Sequence, residues 1–142
     1  MTSSNPSRPS PGETSGSSQR APQRLAAPAL SFDLTAEANL LRAEQAWRDG
    51  DRNANSLVHE PDFRIVLTAL RAGARLAEHG AEGRVSIHTL SGRLRLTLPD
   101  QTVDLPAGHI LALEPGIRHD VEAVEESTFL LTIAWPPGRQ RR

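Results

Sequence analysis

Two glycine-led segments, Gly73 to His79 and Gly108 to His119, each end in a histidine and bracket the middle of the chain. Imidazole is the side chain best suited to ligating a divalent metal or to moving a proton near neutral pH. The runs between the two segments are short and strand-like, split by turns. If they close into a barrel, two histidines forty positions apart meet at one interior point. The other three histidines have no constellation around them. His59 ends an early strand before Pro61, His109 follows a turn glycine, and His88 alternates with Ile87 and so faces away from Val85 and Ile87. All three are expected at the surface.

The residue types that are missing narrow the chemistry further. The chain has no cysteine, no lysine and no tyrosine. That excludes a thiolate nucleophile or thiolate metal site, a side-chain Schiff base and a phenolic acid or base. Sixteen basic residues, all arginine, are scattered rather than clustered, and the net charge is −1. Neither fact supplies an electrostatic reason to bind nucleic acid or a membrane surface. There is no run of about eighteen apolar residues to span a bilayer and no apolar signal core at the N-terminus, so the expectation is a soluble, cytoplasmic protein. Phosphate-cradling loops and a local Ser/His/Asp motif are also missing.

The elements that must position the two histidines follow from periodicity. Residues 1–28 carry five of the eleven prolines among Ser, Gly and polar residues and are expected to be a disordered tail. Residues 29–55 form an entry segment: a short strand over Ala29 to Leu34, then one amphipathic helix capped by Asp33 or Thr35. The helix is expected to place Ala36, Leu40, Ala43 and Trp47 on its buried face and to stop at Gly50. From Ser56 the period becomes that of strands. Nine candidates follow: Ser56–Glu60, Phe63–Ala72, Arg75–His79, Arg84–Leu90, Arg93–Leu98, Gln101–Leu105, His109–Leu113, His119–Ala123 and Thr128–Trp135. Leu94, Leu96 and Leu98 alternate with Arg93, Arg95 and Thr97, which predicts a half-buried strand. Thr128 to Trp135 is apolar on both faces and predicts a strand packed from both sides. Glu114-Pro115-Gly116 has the residues of a type II turn. Many short strands without a second helix predict an all-β barrel or sandwich over 56–136, followed by a basic tail at 137–142.

With these residues in view, the chain resembles the cupin superfamily of small jelly-roll barrels. Gly73, His79 and Gly92 match the order and approximate spacing of the first cupin motif. Gly108, Gly116 and His119 match the second, with Pro115 one place from the usual proline position. The resemblance covers roughly Val58 to Trp135 and implies a single jelly-roll barrel preceded by one short helix. In metal-holding cupins the ligands are two histidines and a glutamate of the first motif and the histidine of the second. Carried over, His79 fills the first position and His119 the last. Ala81 stands at the second histidine position, and Val85 falls near the glutamate position. Glu82 is close in sequence and needs a shifted register to point inward.

Two imidazoles fall short of the three protein ligands that a catalytic Zn, Fe or Mn site normally has. The resemblance therefore implies a ligand pocket of His79, Val85, Ile87 and His119 that takes a small molecule, in a binding or regulatory protein. Its cofactor is either none or a weakly held divalent metal (Fe, Mn, Zn or Ni). The alternative is a metal-dependent oxygenase or isomerase with His79 and His119 as ligands and Glu82 completing the shell. A homodimer is a further expectation, since cupins commonly pair through a barrel face or an exchanged strand.

Overall fold

The computed structural model describes residues 28–78 and 82–136. The expected tails at both ends and two positions of the first motif, His79 and Ala81, lie outside the described residues. Among the described residues, two short helices precede nine strands. The first helix, α1 (Leu34–Ala43), begins as its sequence requires: the Asp33 side chain accepts a hydrogen bond from the Ala36 backbone N–H at 3.1 Å. Glu37 in the first turn and Arg42 in the last complement the helix dipole.

Here the structure departs from the expected single helix. The chain turns extended at Glu44 (φ −90, ψ 158) and restarts as α2 (Gln45–Asp49), with Gly50 as its C-cap. The break resets the helical phase. Leu34, Ala38 and Leu41 turn inward instead of Ala36 and Ala43, and Leu40 is left 46% exposed. Trp47 is buried, as expected of a residue sealing a core, and lies between two guanidinium groups, with Arg71 4.2 Å and Arg42 5.1 Å from its ring centroid. The expected strand over Ala29 to Leu34 does not form. Phe32 packs with the helix instead.

The strands are β1 (Arg52–Glu60), β2 (Phe63–Leu70), β3 (Arg75–Glu78), β4 (Arg84–Ser91), β5 (Arg93–Thr97), β6 (Thr102–Pro106), β7 (Ile110–Leu113), β8 (His119–Ala123) and β9 (Ser127–Ala134). They build a five-stranded sheet in the order β1-β2-β9-β4-β7 and a four-stranded sheet in the order β3-β8-β5-β6, with every pairing antiparallel. This is the two-sheet jelly roll that the turns and alternation predict. Leu94 and Leu96 are fully buried and Leu98 nearly so, while Arg93 and Asp104 pair outside the barrel across the β5–β6 register. Gly116 takes φ +84, as a type II turn requires. Gly92 (φ +82) sits so close to Glu126 and Ser127 that a Cβ there would collide with the Glu126 carbonyl oxygen and the Ser127 hydroxyl.

The five-stranded sheet packs on its inner face and on the part of its outer face that lies under the helices. Its inner face contributes Leu70, Val85, Ile87, Leu113 and Phe129 to the core between the sheets, where they meet Leu94, Leu96, Val121 and Ala123 of the other sheet. Its outer face carries a second cluster of Leu57, Leu67 and Ala69 beneath Leu41 and Trp47. Each of the fully buried leucines contributes roughly 1.5–3 kcal/mol by leaving water. A bulge between Ser56 and Val58 lets consecutive residues Leu57 and Val58 both be buried. The two helices are tied down by Asn53, whose Nδ2 donates to the Leu41 carbonyl and to Glu44 Oε1, each at 2.9 Å.

Candidate functional site

The jelly roll has a closed end and an open one. At the closed end, inward side chains are sealed: Leu70, Leu94 and Ala123 are 0% exposed, and buried Thr89 donates through Oγ1 to the Leu105 carbonyl. The other end is framed by the β1–β2 and β7–β8 connections, the start of β4 and the end of β9. Here Val66, Leu76, Leu131 and Ile133 are only half-buried, although the last three pack on the core. Solvent therefore reaches between the sheets at this end.

On the four-stranded wall, β8 alternates so that His119, Val121 and Ala123 are buried. His119 Nδ1 lies 3.1 Å from the Ile117 carbonyl. A carbonyl can only accept, so Nδ1 carries the proton and the neutral ring keeps its lone pair on Nε2. The Pro115-Gly116 turn brings the Ile117 carbonyl back under the ring. Val85 and Ile87 occupy the inner face of β4 and are 5% and 1% exposed.

The opposite wall holds a group that the sequence left undistinguished. Arg64 of β2 pairs in register with Ile133 of β9, which packs against the inner core, and with His59 of β1. Paired residues share a face, so all three belong to the inner row. The Arg64 Nη2 lies 3.4 Å from His59 Nε2, and its Cζ lies 5.6 Å from the centroid of the Trp135 ring. An arginine only donates, which gives neutral His59 its proton on Nδ1. The expectation of a surface His59 is thus corrected: the residue is half-buried beside Arg64. No local signal could have marked this cluster, because the register that makes it links β1, β2 and β9.

The remaining candidates lie elsewhere. His88 pairs with Leu130 and Ile110 on the outer face of the sheet, and His109 is exposed. Glu82 is exposed on the bend before β4. Among the described residues, no three His, Cys, Asp or Glu side chains form a group able to hold a metal. They offer a metal the imidazole of His119, short of a catalytic set, so no step is derived through a metal. A groove of about 370 Å³ is lined by Arg84, Ser86, Ala112, Glu114, Thr132 and Ala134, together with Val85 and Leu113. Ser86, Ala112 and Thr132 form one cross-strand row out of phase with Val85. The groove therefore opens on the outer face, not between the sheets.

Comparison with known proteins agrees with this geometry. A conserved protein of unknown function from Streptococcus pyogenes is 25% identical and superposes with a TM-score of 0.65, over 83% of this chain and 97% of that one. A cupin-superfamily protein from Desulfitobacterium hafniense is 19% identical (TM-score 0.58), over 60% of this chain and 78% of its own. A single-residue mutant of salicylate 1,2-dioxygenase from Pseudoaminobacter salicylatoxidans is 16% identical (TM-score 0.56), over 71% of this chain but 32% of that enzyme. No protein of curated function matches in sequence. The sequence profile of the AraC-like ligand binding domain matches residues 65–139, from the middle of β2 to beyond the end of β9. That span exceeds half of the 142 residues and contains His119 and strands β3 to β9, so the chain belongs to the AraC-like ligand-binding domain family of cupins.

Proposed function

We propose that this barrel is a small-molecule-binding domain of regulatory type, whose ligand enters between the two sheets at the open end and contacts His119 and the half-buried residues of β2 and β9. One observation carries the reading: the inner faces are sealed at one end of the barrel and half-exposed, with polar side chains among them, at the other. A pocket with apolar walls and a few convergent polar groups is the usual form of a ligand site. Ligand binding would be felt by both sheets, since His119 and Ile133 stand on opposite walls. That is the property a regulatory module needs.

Titration with a metabolite library, followed by thermal melting, tests this reading. A ligand present at about a hundred times its Kd adds about 2.7 kcal/mol to the stability of the form it binds. Leu131→Trp, which fills half-exposed space rather than sealed core, is expected to keep the fold and lose that stabilisation. Ligands that stabilise Leu131→Trp as fully as the natural protein would place binding outside the barrel and overturn the proposal.

A metal-dependent oxygenase or isomerase is the second reading. It is favoured by the anchored orientation of His119, whose Nδ1–H is taken by the Ile117 carbonyl, so that the neutral ring keeps its lone pair on Nε2. In this reading His119 and His79 are ligands and Glu82 completes the shell. Elemental analysis after loading with Fe, Mn, Zn and Ni decides it: stoichiometric metal that disappears in His119→Ala supports an enzyme, and no retained metal removes the case. The homodimer is proposed on the uncovered part of the outer face, where Ile110 is 61% exposed on edge strand β7. A monomeric mass across a concentration series in sedimentation would exclude it.

A further inference from the structure

β2 and β9 change character at one level of their shared register. Along β2, Leu67 to Leu70 are all buried, whereas Phe63 to Val66 are all half-buried. Along β9, Ser127 to Phe129 are buried, whereas Leu130 to Ile133 are half-buried. The register aligns these halves: Thr68 pairs with Phe129 on one side of the boundary and Val66 with Leu131 on the other. Successive residues of a strand point to opposite faces, so four consecutive half-buried positions mean loose packing on both faces at once. β4 is different: Val85, Ile87 and Thr89 stay buried, and only the positions between them are half-buried.

The first helix, which lies against β1 and β2, repeats the division. Its last turn is fastened to the dry half. Leu41 is 0% exposed, its carbonyl accepts from Asn53 at 2.9 Å, and Arg42 bonds Glu126 at 2.8 Å and Thr128 at 2.9 Å. At its start, Phe32, Leu34 and Ala38 are half-buried and pack on one cluster together with Ile65 and Leu130. Ile65 and Leu130 are the chain neighbours of Val66 and Leu131, which stand on the pocket side of the same backbone.

Resting on the pocket proposed above, we infer that a ligand filling the open end is sensed at α1. It fixes Val66 and Leu131, the backbone that they share with Ile65 and Leu130 loses freedom, and the first turns of α1 open less often. Close-packed interiors transmit such changes, and ordering one site lowers the cost of ordering another even where no atom moves far. The fastened last turn confines the change to the start of the helix. α1 is then the readout of the pocket, on the opposite face of the sheet.

Leu131→Trp in the full chain supplies an occupant without a ligand. Amide exchange followed by NMR is expected to slow at least about five-fold at Ala36 and Glu37, whose N–H groups are bonded to Asp33, five-fold being the lower end of the usual coupling between linked sites. Trp47 and Arg48, whose N–H groups are bonded to the Glu44 carbonyl, are expected to keep their natural rates. Ala112→Leu, which adds bulk on β7 outside the barrel, changes neither pair. Leu34→Ala trims the helix side and is expected to abolish the slowing when combined with Leu131→Trp. Unchanged exchange at Ala36 and Glu37, or equal slowing at Trp47 and Arg48, overturns the relay. If Leu131→Trp does not fold, Leu131→Phe takes its place. The two levels separate. Unchanged exchange, alongside a metabolite that stabilises the natural protein but not Leu131→Trp, overturns the relay and leaves the pocket standing. Slowed exchange with no stabilising metabolite in the library removes the ligand and supports the coupling between the faces.

Discussion

The two faces of the five-stranded sheet are built from the same strands and put to opposite uses. The outer face, where α1 and α2 lie on it, is dry: Leu41, Leu67 and Ala69 are 0% exposed and Leu57 is 1% exposed. The inner face begins as dry at the sealed end, with Leu70 and Phe129, and opens along the same strands to Val66, Leu131 and Ile133. The polar side chains differ in the same way. Asn53, on the helix side, is fully buried and serves the backbone and Glu44, so it fastens one element to another. Arg64 and His59 are half-buried at an opening, where Arg64 lies over the Trp135 ring and against His59. The difference separates polar groups that hold the fold from polar groups that face an entrance.

The strongest way to break the comparison is to shorten one residue on each face. Leu67→Ala under the helices is expected to cost about 2–5 kcal/mol, because it removes buried methyl groups and leaves a cavity. Ile133→Ala at the opening, already wet, should cost well below that range. Urea unfolding of both variants checks it, and equal losses would mean that the opening is as tightly packed as the helix interface.

Asn53→Ala should cost about 1–3 kcal/mol by removing the bonds that tie the Leu41 carbonyl and Glu44 to β1, leaving the Leu41 carbonyl its long bond from the Glu44 N–H. The loss is expected to appear first as faster hydrogen exchange in α1 and α2. Exchange that accelerates evenly over the whole sheet would show that the helices are not a separate layer.

The smallest effect concerns Asp51, at the edge of the helix side. Its hydrogen bond to Arg52 holds its carboxyl below the usual aspartate range. A lowered folded-state value gives stability that is present above the unfolded aspartate value, near 3.9, and is lost as pH falls through the lowered one. Both partners are solvent-accessible, so the effect belongs in the roughly 0–1 kcal/mol of surface pairs. Natural protein and Asp51→Asn should therefore melt alike at acid pH and differ slightly at neutral pH, and a difference that grows on acidification would reverse the sign.

Much of the fold is legible in the sequence because it is written locally. The Leu94, Leu96, Leu98 alternation, the Pro115-Gly116 turn and the Asp33 cap each depend on a few neighbouring residues, and each forms as those neighbours dictate. What the sequence hides is set by pairing over distance. Nothing near Phe63-Arg64-Ile65 says which side of the strand is inward; that follows from Ile133, which lies far along the chain. The helix phase is hidden for a related reason. The break at Glu44 is stabilised by Asn53 of the next element, so a continuous 4-3-4 reading through Trp47 selects the wrong face of α1. The site shares this limit: His119 and its anchoring turn can be read from the second motif, whereas the Arg64 wall emerges only once β9 is placed between β2 and β4.

That placement has a consequence for how the molecule is made. The last strand among the described residues, β9, is the middle strand of the larger sheet, pairing with β2 on one side and β4 on the other. While the chain leaves the ribosome, β1 and β2 can form a hairpin, but no two strands on opposite sides of the gap can join until Ser127 to Ala134 arrive. Assembly of the sheet is therefore close to an all-or-none event that waits for β9, slow in the manner of folds rich in long-range pairs. Until then the strand edges of β2 and β4 are open to other chains, and a nascent chain stopped before β9 is a candidate for aggregation rather than a partly working domain.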